Sequence, residues 1–387
     1  MSESESMPPI LGVPLSDLRR CRTSVKWGVH PGDVIPMWIA EMDCSPCPAV
    51  VEAVGAAVGR GDTGYALTET YAAEVASFAD AEWGWAFDPA TTTRVADVLT
   101  GVTHLLRLLT DDGGPVVVSP PVYNAFYDVI AACGRQVVEA PLGPDFRLDL
   151  DRLDAVFAEV TAGGQRAAYL LSNPHNPTGT VHSPDELVAL ARVADAHGVR
   201  VVSDEIHGPL VLPGSTFTPY LSLPGTERGL TVTSASKAWN LAGLKAAIIV
   251  PGAEAVADLR RLHPFVTFGA SHLGVIAQTA AYRDGRDWVH RLVGELDANR
   301  RLLGELVAEH LPGVRLVEPR STYLAWLDLR ELGLGDDPAA ELVQRARVAL
   351  SSGPTFGFGG HGHARLNFGT SPEIIREAIG RIAASVA

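Results

Sequence analysis

The chain has 387 residues, 47% of them hydrophobic and 20% charged, enough apolar surface for a large core spread over two or three domains. Its 31 Lys and Arg against 45 Asp and Glu leave a formal charge of −14, which argues against a basic nucleic-acid-binding face. No apolar run reaches the roughly 18 residues of a spanning helix, and the opening Met1–Ile10 lacks the basic and apolar regions of a secretory signal, so a cytoplasmic enzyme is expected.

The first local feature is Cys44-Ser-Pro-Cys47, the spacing of redox dithiols and of half a zinc site. No second C-x-x-C or paired histidine follows, so two buried or half-buried loop thiols are the better reading. From about residue 95 to 252, short β-branched runs alternate with helix-period segments, as in stacked βα units. The predicted strands are 116–119, 135–141, 167–172, 200–204, 230–234 and 246–250. They are continuous apolar runs, as strands covered on both faces should be. Between them, Ser183-Pro-Asp-Glu186 spells a capping box with proline at the first helical position, and Gly198 supplies the stop. The expected fold is α/β, with a mostly parallel, doubly wound sheet.

Beyond Pro264 the pattern changes. Helices are expected over 271–283, 287–309, 338–350 and 372–384, with strands over 322–328 and 363–368. This reads as a smaller α+β domain completed by the N-terminal segment. The predicted division is an arm and part of the small domain over 1–50, a large cofactor-binding domain over 51–270, and the small domain over 271–387. Gly357-Phe-Gly-Gly-His-Gly362 matches G-x-G-x-x-G only formally, because a strand rather than a helix follows it.

Three loops carry chemistry. Asn173-Pro-His-Asn-Pro-Thr-Gly179 follows an apolar strand, and its prolines and glycine fix an irregular backbone that can present an amide. Asp204 ends a second strand, in Ser203-Asp-Glu-Ile-His207; a carboxylate there can hold a pyridine nitrogen protonated. Lys237 follows Ser234-Ala-Ser236 in apolar surroundings, which suits an amine of lowered pKa that forms a Schiff base.

Together these resemble the fold-type I pyridoxal-phosphate enzymes of the class I/II aminotransferase family, and within it the cystathionine β-lyases of the PatB and MalY type. The likeness also rests on Pro36-Met-Trp-Ile-Ala-Glu-Met-Asp43, Pro121-Val-Tyr-Asn-Ala-Phe126, Ser236-Lys-Ala-Trp-Asn-Leu-Ala-Gly-Leu244, Thr322-Tyr-Leu-Ala-Trp-Leu-Asp328 and Arg365-Leu-Asn-Phe368, and spans about residues 30–380.

The resemblance implies pyridoxal 5′-phosphate as cofactor, with Lys237 as its attachment point and proton shuttle and Asp204 as partner of the ring nitrogen. Asn176 and His207 are expected near the ring oxygen, and Tyr123 on the ring face. Ser234, Ser236 and Lys245 are expected at the phosphate, Lys245 standing where many relatives carry arginine. Thr100-Gly-Val-Thr103 precedes a helical pattern, so the backbone N–H groups of Val102 and Thr103 are expected to meet the phosphate as well. Arg365 resembles the clamp on the substrate carboxylate, with Asn176 beside it. Tyr65 resembles a tyrosine that reaches the phosphate of a neighbouring subunit in a homodimer with shared sites.

The implied activity is carbon–sulfur β-lysis of cystathionine or another cysteine S-conjugate, giving a thiol, pyruvate and ammonia. An aminotransferase using the same residues is the alternative. A non-catalytic regulatory protein on the same fold fits less well, since Lys237, Asp204 and Arg365 are all present. Neither a metal nor a nucleic-acid or membrane partner is expected.

Overall fold

The computed structural model describes residues 8–67 and 69–386. Met1–Met7, part of the stretch read for a leader, lie outside the described residues, as does the last residue of the predicted 271–387 segment. The strands in chain order are β1 (Ile35–Pro36), β2 (Thr93–Val95), β3 (Pro115–Val118), β4 (Gln136–Glu139), β5 (Ala168–Ser172), β6 (Arg200–Asp204) and β7 (Leu230–Thr233). There follow β8 (Ala247–Pro251), β9 (Arg315–Val317), β10 (Leu324–Asp328), β11 (Val348–Ala349), β12 (Ser351–Ser352) and β13 (His363–Asn367).

The large sheet has the order β2-β8-β7-β6-β5-β3-β4. Its strands β7, β6, β5, β3 and β4 pair in parallel, whereas β8 runs antiparallel to both β7 and β2. Val116, Val118, Leu170, Val202 and Val232 pack into a core on one face; Val117, Tyr169, Leu171 and Val201 pack into another on the opposite face. That alternation explains why the strands read as unbroken apolar runs. At Gly101 the helix Val98–Leu109 lies so close to the sheet that a Cβ would meet Val232 at 3.0 Å and Val95 at 3.1 Å. The helix Pro184–Ala196 starts as expected: Ser183 Oγ accepts the Glu186 N–H and Glu186 Oε2 accepts the Ser183 N–H, each at 3.2 Å. Gly198, at φ +68, ends it.

The four-stranded sheet has the order β12-β13-β10-β9, with the long helices Arg286–His310 and Pro372–Val386 nearby in sequence. One expectation fails here. The helix predicted over 338–350 stops at Arg345, because Arg347 turns into the left-handed region at φ +56. Val348 and Ala349 then pair in parallel with Ile35 and Pro36. Their apolar side chains serve a strand that the distant N-terminal segment recruits, which helical periodicity cannot reveal. Strand β2 also escaped the sequence reading, being only three residues long.

No helix of the described residues is long and apolar enough to cross a membrane. Cys44 and Cys47 are buried and unbridged, Cys47 just ahead of the helix Pro48–Gly59. Burial pushes the Cys44 thiol up to about 12, so no reactive thiolate is available there.

Candidate active site

Parallel sheets place ligands at the carboxyl ends of their strands. Ser172 ends β5 and pairs in register with Asp204 at the end of β6, and Lys237 follows β7 by four residues. A cavity of about 380 Å³ opens there, lined by Tyr123, Asn176, Asp204, His207, Ser236, Lys237 and Lys245 among others. With Thr103, which also lines it, eight of the expected site residues converge.

Lys237 Nζ donates to the carbonyl of Ala40 at 2.8 Å, and Tyr323 Oη donates to the same oxygen at 2.9 Å. Burial, helped by the Arg365 charge, lowers the Lys237 ammonium to about 8. Asp204 accepts the Ile206 N–H at 3.2 Å, and burial raises its carboxyl to about 7. His207 is buried, its Nδ1 has no partner among the described residues, and desolvation with the Lys237 and Arg365 charges drives it down to about 3, so it is neutral. Tyr123 packs edge-on against Phe126.

Arg365 rises from β13 behind the cavity wall. Its Nη1 donates to Asn176 Oδ1 at 3.0 Å, and its Nη2 to the Trp38 carbonyl at 3.0 Å and to Ser351 Oγ at 3.1 Å. Its Nε is buried without a partner among the described residues, and the guanidinium lies 5.0 Å from the Phe356 ring centre. Because Asn176 spends its oxygen on Arg365, its NH₂ is left to donate towards the cavity.

Two expectations need correction. The helix behind Thr100 begins earlier than expected, with Asp97 as its N-cap and Val98 as its first residue. Val102 and Thr103 therefore lie beyond the first turn, where their N–H groups serve the i−4 carbonyls. The free N–H groups are those of Val98 and Leu99, both of which line the cavity. The missed signal was Asp97 itself, a residue type favoured at N-caps. Ser234 also turns away: its Oγ donates to the Ala246 carbonyl at 2.7 Å and accepts the Ser236 N–H at 3.1 Å. Buried and absent from the cavity lining, it shapes the turn that presents Ser236 and Lys237. Tyr65 stays outside its own chain's cavity; it is 86% exposed and packs edge-on against Phe268.

The donor set fits pyridoxal phosphate. Asp204 is a buried carboxylate without a cationic side chain bonded to it, as a ring-nitrogen partner should be. The unpartnered His207 Nδ1 and the Asn176 NH₂ suit a ring oxygen. Ser236, Lys245 and the N–H groups of Val98 and Leu99 make an anion cradle at a helix start.

A model of the family described as aminotransferase class I and II matches residues 33–382. The chain belongs to this family. A Mycobacterium leprae protein provisionally named a cystathionine β-lyase is 51% identical over 380 residues, 94% of each chain. The Bacillus subtilis cystathionine β-lyase PatB is 34% identical over 385 residues, covering 94% of this chain and 96% of its own. Among solved structures, one from Corynebacterium diphtheriae, provisionally described as a PLP-dependent β-cystathionase, superposes with a TM-score of 0.91 at 33% identity. It covers 97% of this chain and 99% of its own. The chain thus lies in the carbon–sulfur lyase branch of the family.

Proposed function

We propose that this protein is a pyridoxal-phosphate-dependent carbon–sulfur β-lyase that cleaves cystathionine or a related cysteine S-conjugate. The observation that carries the chemistry is the pairing of two buried groups in one cavity, an amine lowered to about 8 and a carboxyl with no cation bonded to it. The choice of lyase over aminotransferase rests on the relatives. Bound cofactor supplies an aldehyde that captures amines and a ring that takes up electron density from the substrate α-carbon.

The chain's residues divide the remaining work. Lys237 holds the cofactor and, once released, takes the proton from the substrate α-carbon. Asp204, ionised opposite the ring nitrogen, keeps that nitrogen protonated. Asn176 and His207 orient the ring oxygen, Tyr123 covers the ring face, and Ser236, Lys245, Val98 and Leu99 hold the phosphate. Arg365 orients the substrate α-carboxylate by paired hydrogen bonds. The sulfur leaves from Cβ as thiol, and water completes the conversion of the remainder to pyruvate and ammonia.

The proposed unit is a cytoplasmic homodimer in which Tyr65 serves the partner's phosphate. Tyr65, Leu67, Phe265 and Phe268 are all more than half exposed, and both Tyr65 and Phe265 contact Phe268, which suits a surface covered by a second copy. The division into residues 1–50 with 271–387 and a large 51–270 domain is part of the same proposal; the β1–β11 pairing supports it.

The test is pyruvate release from cystathionine and from a panel of cysteine S-conjugates, with and without 2-oxoglutarate. Stoichiometric thiol and pyruvate without an added oxo acid are expected. Turnover that requires the oxo acid and leaves the C–S bond intact would establish an aminotransferase instead.

A further inference from the structure

Asp97 stands at the phosphate end of the cavity with both carboxylate oxygens engaged. Its Oδ1 accepts the Thr100 N–H at 2.8 Å and so caps the helix Val98–Leu109. Its Oδ2 accepts from Lys245 Nζ at 2.9 Å. Asp97, Val98, Leu99 and Lys245 all line the cavity. One corner therefore holds the free N–H groups of a helix start, one ammonium and one carboxylate.

An incoming phosphate must use the same N–H groups and the same ammonium. Lys245 is the cradle's lysine, yet its charge is already matched by Asp97. The carboxylate is held in place by the helix cap and cannot leave without uncovering the Thr100 N–H. A phosphate carries close to two negative charges near neutral pH, so it meets like charge beside its own binding groups. The pair is partly solvated, Lys245 side chain 56% and Asp97 31% exposed, which weakens the repulsion without abolishing it.

We propose that Asp97 is a resident counter-anion of the phosphate subsite. It pairs with Lys245 and caps the Thr100 N–H beside the groups that would hold the phosphate, and its charge lowers affinity for the phosphate. The site thereby holds its cofactor less tightly than the same cradle would without the carboxylate. This rests on reading the cavity as the pyridoxal-phosphate site.

The experiment is equilibrium titration of apoprotein with pyridoxal 5′-phosphate, and separately with pyridoxal lacking the phosphate. Asp97→Asn keeps an oxygen to cap Thr100 and removes the charge; Asp97→Ser does the same with a shorter side chain should the first variant fail to fold. The neutral variant should bind pyridoxal phosphate at least about fivefold more tightly than wild type, by loss of like-charge repulsion, with affinity for pyridoxal unchanged. Raising the salt concentration should narrow that gap. Equal or weaker phosphate-cofactor binding by the folded neutral variants would overturn the proposal. So would an equal change for pyridoxal, because Asp97 would then act on the ring site or the fold. If wild type takes up no pyridoxal phosphate at all, the proposed function itself falls, a result distinct from either.

Discussion

Arg365 Nη1 and Asn176 Oδ1 meet at 3.0 Å although 189 positions separate them in the chain. The bond ties β13 of the small sheet to the loop that follows β5 of the large one. It also sets the direction of the Asn176 amide, since the oxygen is spent on the guanidinium and the NH₂ faces the cavity.

Arg365→Lys keeps one charge but cannot reproduce the bonds to Asn176, Trp38 and Ser351 together with a carboxylate. A loss in kcat/KM of about 2–4 kcal/mol is expected, from charge-assisted bonds lost in a desolvated site. Cofactor occupancy should be nearly unchanged. Should the variant instead lose cofactor while binding substrate analogues normally, Arg365 belongs to the cofactor's surroundings.

Lys237 is expected to carry the cofactor. Borohydride treatment of the loaded protein should fix the label on this residue, and peptide mapping that finds it on Lys245 would falsify the assignment. The amine must be neutral to react, and burial places its pKa at about 8. The rate of cofactor uptake by apoprotein should therefore climb with pH and level off above about 8. A rate still climbing towards the 10.5 of an ordinary lysine would contradict the buried amine.

Glu205 lies beside Asp204 and tests the electrostatics beneath the site. Its Oε1 accepts from Asn173 Nδ2, Ser203 Oγ and the Tyr220 N–H, while its Oε2 is buried without a partner among the described residues. Burial raises its carboxyl to about 7. A carboxyl raised on folding contributes stability below its unfolded pKa and loses it as pH climbs through the folded value. Glutamine supplies the same acceptor without titrating. Glu205→Gln should therefore gain thermal stability relative to wild type as pH passes from about 5 to above 7, by up to roughly 3 kcal/mol. Melting curves of the two proteins that stay parallel across this range would refute the buried titration.

Tyr65 is expected to serve the partner subunit. Lys237→Ala and Tyr65→Ala, once each is shown to be nearly inactive alone, should complement when mixed. Random remixing makes half the dimers mixed, each with one intact site and one doubly damaged site. Recovered activity should approach about a quarter of wild type, from two-fold pairing. No recovery despite proven subunit exchange would mean that Tyr65 serves its own chain, and a monomer at assay concentration would end the shared-site idea.

Much of this protein is written locally in its sequence. The runs ending at Ser172, Asp204 and Thr233 are apolar because both faces of the sheet are covered, so their order along the chain announces a parallel sheet. The loops after them hold Asn176, Asp204, His207 and Lys237 within a few residues of a strand end, and short-range geometry suffices to aim them. The Ser183 capping box is likewise a matter of four consecutive residues.

Tertiary structure decided what depends on partners distant in the chain. The Ala40 carbonyl that receives Lys237 comes from 197 residues away, and a backbone oxygen leaves no mark on residue type. Asp97 meets Lys245 across 148 residues, and the true start of its helix leaves the free N–H groups at Val98 and Leu99 rather than at Val102 and Thr103. Val348 and Ala349 continue a helical pattern yet pair as a strand with Ile35 and Pro36, because a pairing edge outweighs a weak local preference. Sequence alone brought forward most of the side chains that line the cavity, but not Asp97, Val98 or Leu99; partners, charges and direction arose only where remote segments met.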